Sequence, residues 1–118
     1  MESRMVKVAA IDCGSNSTRL LIADVSSGKL VPIFKTHKVT KTSEGLEGSN
    51  EISNDAKNRL IKALREYQKK INLENVDQIF ITGTAVFRDA QNSEKIIEEI
   101  KNKLDLEIQV ISGEEEGF

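Results

Sequence analysis

The sequence predicts an α/β domain on a mixed five-stranded sheet, with elements in the order strand, strand, strand, helix, strand, helix, strand and then the first turn of a third helix. Three observations carry that expectation. Residues 8–25 and 30–41 read as three strands separated by short polar turns, two later segments repeat apolar residues at helical spacing, and a short apolar run lies between those segments. A chain of 118 residues holds one such domain with a modest core.

Residues 8–25, VAAIDCGSNSTRLLIADV, are two apolar runs joined by a short turn. Ser26, Ser27, Gly28 and Lys29 make a second turn, and residues 30–41 form the third strand of a meander. Pro32 cannot donate to a ladder, and Lys35, Lys38 and Lys41 discourage pairing with another chain, which places this strand at a sheet edge. Contact with a polyanion is the lesser role for those lysines. Residues 42–51 are a polar, glycine-containing loop, and Ser53 is an N-cap for a helix whose stripe is Ala56, Leu60, Ala63, Leu64, Tyr67 and Ile71. The basic face opposite that stripe reads as solvated. Residues 78–82 (QIFIT) are a buried-type strand ending in Gly83, Thr84 and Ala85, after which Asn92 or Ser93 caps a second helix carrying Ile96, Ile97, Ile100 and Leu104. Residues 106–111 alternate as a fifth strand, and Ser112 and Glu115 have the spacing of a capping box. This order, a meander feeding a parallel half-sheet, is ribonuclease H-like. Ligands of such sheets collect beyond strand ends, where the first turn, residues 82–85 and residues 112–116 could all meet.

Composition excludes several classes. Seventeen basic against nineteen acidic residues leave a net charge of −2, so no global field recruits DNA, RNA or an anionic membrane. No run is long enough to span a bilayer, and residues 1–7 lack the apolar core of a signal peptide, which points to the cytoplasm. A single cysteine, Cys13, excludes an internal disulfide and is expected to be a small buried filler. His37, between Thr36 and Lys38, is expected at the surface.

The first turn is suited to an anion. Gly14 has no side chain to block access to the backbone, while Ser15, Asn16 and Ser17 can converge amide and hydroxyl donors on phosphate oxygens. Arg19 adds a planar fork of donors. Asp12 would repel a phosphate beside it unless a divalent cation lay between them, which suggests Mg²⁺. The alternative is a hairpin whose polar turn merely faces water. It leaves unexplained both an Arg within an apolar strand and an Asp closing another. The turn is not a Walker A loop, because Gly14 and Lys29 are far apart and the segment after the turn is strand-like.

Three separated blocks carry a resemblance: Asp12-Cys13-Gly14-Ser15-Asn16-Ser17-Thr18-Arg19-Leu20, the ten residues from Gly83-Thr84-Ala85 through Arg88 to Asn92, and Ile111-Ser112-Gly113-Glu114-Glu115-Glu116. Together with Glu44-Gly45-Leu46 they resemble the exopolyphosphatase and guanosine pentaphosphate phosphatase family of the actin, sugar kinase and Hsp70-like superfamily. The resemblance implies hydrolysis of a terminal phosphoanhydride of polyphosphate or of the 5′ γ-phosphate of guanosine pentaphosphate, with Mg²⁺, in a homodimeric parent. It implies that Gly14, Ser15, Asn16 and Ser17 form a phosphate loop, that Asp12 lies near the metal through water, and that Arg19 grips the scissile phosphate. Glu116 falls at the position of the proposed general base, while Thr84, Arg88 and Asn92 brace the cleft. Glu114 and Glu115 are expected to favour the positive end of a helix and to cap it. Gly117 and Phe118 depart slightly from the family pattern. The second phosphate loop, of DxGGGS type, and the opposing subdomain are not in the sequence, so the chain is expected to be the first part of an N-terminal subdomain and to be inactive alone.

Three other functions compete. A sugar or carboxylate kinase of the same superfamily is disfavoured by Glu116 and the 83–92 block. A ribonuclease H-like nuclease needs several carboxylates around paired metals, yet Thr82-Gly83-Thr84 occupies the strand end where another acid is wanted. A noncatalytic sensor of polyphosphate or a guanine nucleotide would not need Glu116.

Overall fold

The structure, a computed structural model, describes residues 5–112. Three strands come first, β1 (Lys7–Cys13), β2 (Ser17–Asp24) and β3 (Val31–Val39). They are followed by α1 (Leu46–Ser49), α2 (Asn54–Leu73), β4 (Gln78–Gly83), α3 (Ala85–Asp89), α4 (Ser93–Leu104) and β5 (Gln109–Val110). The sheet has five strands in the order β3-β2-β1-β4-β5. Its β1–β2 and β2–β3 pairings are antiparallel, and its β1–β4 and β4–β5 pairings are parallel. This is the expected mixed sheet, with the Pro32 strand at one edge.

Strand alternation divides the sheet into two faces. Ala9, Ile11 and Cys13 of β1, with Thr18, Leu20 and Ile22 of β2, are buried under the helices. Ala10, Asp12, Arg19 and Phe80 point to the opposite face and are exposed. The α2 stripe is buried as its spacing requires, joined by Ile61, and α4 contributes Ile96, Ile100 and Leu104. Ser53 caps α2, its hydroxyl accepting from the Ala56 amide at 3.1 Å. Burying side chains such as Leu60 and Leu64 supplies about 1.5–3 kcal/mol each, which is what holds α2 against the sheet.

Several elements differ from the sequence reading. β3 ends at Val39 rather than 41, because the Thr40 and Lys41 amides turn away to bond the Asn16 carbonyl, and Lys41 adopts a φ of 48°. A bulge between Ile22 and Ala23 accommodates Pro32 on the β2–β3 ladder. The polar loop 42–51 contains the one-turn helix α1. Beyond β4 the chain forms α3, which buries Val86 and Phe87. Gly83 permits this, since a Cβ there would lie 2.8 Å from the Phe87 ring. β5 is shorter than 106–111: Leu106 and Ile108 are buried, but only Gln109 and Val110 pair with β4. Asn92 occupies the N-cap position of α4 without capping it, its amide instead bonding both the N–H and the carbonyl of Ile52 at 2.9 Å. The basic face of α2 is not simply solvated, for Lys57 pairs with Glu99 at 3.1 Å and Arg59 bonds the loop after β3. The third helix expected from Ser112 to Glu116 lies outside the described residues beyond Ser112.

Leu64→Ala should destabilise the fold by about 2–5 kcal/mol, since it opens a cavity at a fully buried position. The exposed Lys62→Ala should stay within about 0.5 kcal/mol of the parent. Urea denaturation midpoints compare the two.

Candidate functional site

β1 delivers the site because its last residues face two ways. Cys13 points into the core, while Asp12 points outward, opposite Arg19 on β2 and alongside Thr82 on β4. The chain then reverses over Ser15 and Asn16, closed by a hydrogen bond from the Gly14 amide to the Ser17 carbonyl at 3.0 Å. Gly14 eases this close approach, since a Cβ there would stand 3.1 Å from that same carbonyl, a tight contact.

Behind the turn, the segment after β3 supplies hydrogen bonds. The Thr40 and Lys41 amides both donate to the Asn16 carbonyl at 3.0 Å, and the Ser43 amide donates to the Ser15 carbonyl at 3.1 Å. The Ser43 hydroxyl adds a second bond to Ser15 at 3.2 Å. Below these, buried hydroxyls run from Thr18 to Thr40 at 2.9 Å and from Thr40 to Thr42 at 3.1 Å. The Tyr67 hydroxyl donates to the Thr18 carbonyl at 2.6 Å. On the β4 side, the Thr84 amide donates to the Cys13 carbonyl at 3.2 Å, levelling the ends of β1 and β4.

The result is a cleft of about 500 Å³ lined by Asp12, Gly14, Ser15, Asn16, Ser17, Arg19, Thr82, Thr84 and Ile111. Among the described residues its donors are amides, hydroxyls and one guanidinium, and its carboxylate is Asp12. Every residue expected in the first turn is therefore brought together, and Thr84 joins them as a wall. Arg88 and Asn92 do not line this cleft. Arg88 donates to the Ile111 carbonyl at 2.6 Å, and Asn92 holds Ile52, so each fixes a neighbouring segment. Glu114, Glu115 and Glu116 lie outside the described residues. His37 is exposed on β3, as expected.

Among the described residues, no three His, Cys, Asp or Glu side chains are grouped to hold a metal ion. A single exposed carboxylate nevertheless suits Mg²⁺, which commonly keeps its waters and takes one or two carboxylates together with substrate phosphate oxygens. Cys13 is the expected filler: burial, reinforced by the Asp12 charge, holds its thiol far above the usual range, so it carries no nucleophilic thiolate.

Sequence reasoning missed the supports. Arg59, Thr40, Thr42 and Tyr67 touch the turn or its backing, yet each read as an ordinary strand, helix or loop residue. Two signals were present. Thr18 falls at a core-facing position of β2, between Cys13 and Leu20 in the burial pattern, and a buried hydroxyl needs a partner. Tyr67 lies in a buried stripe, and its hydroxyl carries the same requirement.

Comparison with known proteins identifies the family and the fold. A model of the Ppx/GppA phosphatase family matches residues 21–118. A Ppx/GppA family member from Aquifex aeolicus superposes with a TM-score of 0.92 at 32% identity, covering 97% of this chain and 37% of that one. An exopolyphosphatase-like protein superposes at 0.88 and 32% identity, covering 94% of this chain and 34% of that one. An exopolyphosphatase from Cytophaga hutchinsonii, at 23% identity, shares the fold with a TM-score of 0.87, covering 92% of this chain and 35% of that one. The chain thus spans little more than a third of these structures.

The native protein should resist iodoacetamide at Cys13 at pH 8 and become rapidly alkylated in denaturant. Mass spectrometry of the modified peptide reads both states, and rapid native labelling would show an accessible thiolate.

Proposed function

The chain belongs to the Ppx/GppA phosphatase family, and from that premise we propose that its cleft binds the terminal phosphoryl group of polyphosphate or of guanosine pentaphosphate for hydrolysis. The observation that carries this reading is the meeting of the Gly14 to Ser17 backbone, Arg19 and Asp12 in one cleft beyond the ends of β1 and β4. Phosphoryl transfer asks a protein chiefly for positioning and for charge placed where the equatorial oxygens lie. Amide and hydroxyl donors of Ser15, Asn16 and Ser17 supply the first, and the Arg19 guanidinium supplies the second. Arg19 sits opposite Asp12 in the ladder, so a cation and an anion flank the same strand end. Asp12 would hold Mg²⁺, which when bound supplies charge neutralisation at the phosphate oxygens.

Glu116 takes the proton of the attacking water in this scheme. The water oxygen forms a bond to the terminal phosphorus, the anhydride P–O bond breaks, and the electron pair leaves with the shortened phosphate chain. The assignment of Glu116 rests on the family resemblance of residues 111–116 and on the placement of Ile111 at the cleft wall. Thr84, Arg88 and Asn92 act as supports: Thr84 at the wall, Arg88 on the Ile111 carbonyl and Asn92 on Ile52.

Phosphate release from polyphosphate and from guanosine pentaphosphate by the full-length protein tests the reading and ranks the substrates. Arg19→Ala should remove a charge-assisted bond of about 1.5–3 kcal/mol from catalysis, with little change in melting temperature. A collapse of stability with normal activity per folded molecule would make Arg19 a structural residue instead.

Glu116→Gln preserves size and hydrogen bonding but cannot take a proton, so kcat should fall by roughly 10²–10⁴-fold while KM changes little. Glu114→Gln is the control and should leave kcat near the parent value. Equal losses from both, or none from Glu116→Gln, would place the base elsewhere.

A further inference from the structure

We propose that Arg59, on the second turn of α2, is a positioning residue that sets the orientation of the anion-binding turn through the loop behind it. The proposal rests on the reading of that turn as a phosphoryl site. The Arg59 Nε donates to the Thr40 carbonyl at 2.7 Å. Its Nη2 donates to the Lys41 carbonyl at 3.1 Å and to Glu44 Oε1 at 3.1 Å. Other cations of α2, such as Lys57 and Lys70, pair with carboxylates, whereas Arg59, besides pairing with Glu44, grips two successive backbone carbonyls.

Those carbonyls sit one peptide away from the turn. The peptide joining Thr40 to Lys41 accepts from Arg59 at its oxygen and donates to the Asn16 carbonyl at its nitrogen, at 3.0 Å. A guanidinium on the oxygen polarises that peptide and strengthens the bond its N–H makes. The consequence for the turn follows from peptide planarity. In a trans peptide the C=O and N–H point in opposite directions. The Ser15 and Asn16 carbonyls are drawn back toward residues 40–43, so the N–H groups of the same peptides, on Asn16 and Ser17, are aimed away from that loop. Arg59 thereby fixes donor direction without touching the ligand. The buried Thr18, Thr40 and Thr42 hydroxyls seat the same loop from inside the core.

Arg59→Ala and Arg59→Lys in the full-length protein test this by two readouts: hydrogen exchange across residues 14–17 and 40–43, and affinity for tripolyphosphate. Arg59→Lys keeps the stem and the charge but loses the fork, so it covers the case in which Arg59→Ala fails to fold. In either variant the amides of Thr40, Lys41 and Ser43 should exchange faster with the β1–β4 ladder unchanged, and in Arg59→Ala the acceleration should be about tenfold or more and tripolyphosphate affinity should fall about tenfold. The loss should be smaller for Arg59→Lys. Unchanged exchange at residues 40–43 would overturn the positioning role, whatever the affinity. Acceleration spread evenly over all strands would overturn it too, making Arg59 a contributor to global stability. Loosened exchange with unchanged affinity would show instead that the turn is not the phosphoryl site, which sinks the reading on which the proposal rests.

Discussion

The hydrogen-bonded pairing of β1 with β4, in a register that sets Asp12 beside Thr82 and Cys13 beside Gly83, brings two strand ends level, and the cleft exists because of it. Parallel pairing places both carboxyl ends on the same edge of the sheet. The segments that follow, the turn after β1 and Thr84 after β4, must then share space. Alternation along β1 does the rest, since burying Ile11 and Cys13 obliges Asp12 to face outward beside Arg19. Core burial and site geometry are one arrangement here, and a register slip by one residue would lose both.

The site is assembled in two layers. The layer facing the cleft is mostly neutral, built from short polar side chains and backbone, with charge among the described residues confined to Asp12 and Arg19. The layer behind it holds the turn by its carbonyls, through the Thr40, Lys41 and Ser43 amides and the Tyr67 hydroxyl on Thr18. Preorganised dipoles of this kind avoid reorganisation when a charged ligand arrives, and that makes a tightly held short turn useful for phosphate chemistry. α2 contributes to both the core and the backing layer: one face packs under the sheet through Leu60 and Leu64, while Arg59 reaches the loop behind the turn.

Much of this was legible in the sequence, and the rest was not for definable reasons. The meander, the long amphipathic α2 and the edge position of the Pro32 strand follow from periodicity and from the missing proline donor, both local signals. The polar turn pointed to the cleft because Gly14, Ser15, Asn16 and Ser17 are contiguous and Arg19 follows two residues later. The helices α1 and α3 were not foreseen. Both are about one turn long, too short for a periodic signal, and α3 depends on Phe87 packing where Gly83 has no Cβ. Asn92 looked like a cap because caps are local, whereas its actual partner, Ile52, is forty residues away in sequence. Arg59 was hidden for the same reason, as its bonds reach the 40–44 loop across the fold. Long-range polar contacts leave no periodicity to read.

A crystal structure of the full-length protein with tripolyphosphate bound tests the central claim most directly. A terminal phosphoryl group should lie beyond the ends of β1 and β4, within hydrogen-bond distance of the backbone amides of residues 15–17 and of the Arg19 guanidinium. Phosphate chains bound elsewhere, with the 14–17 turn and Arg19 contacting only water or protein, would contradict it.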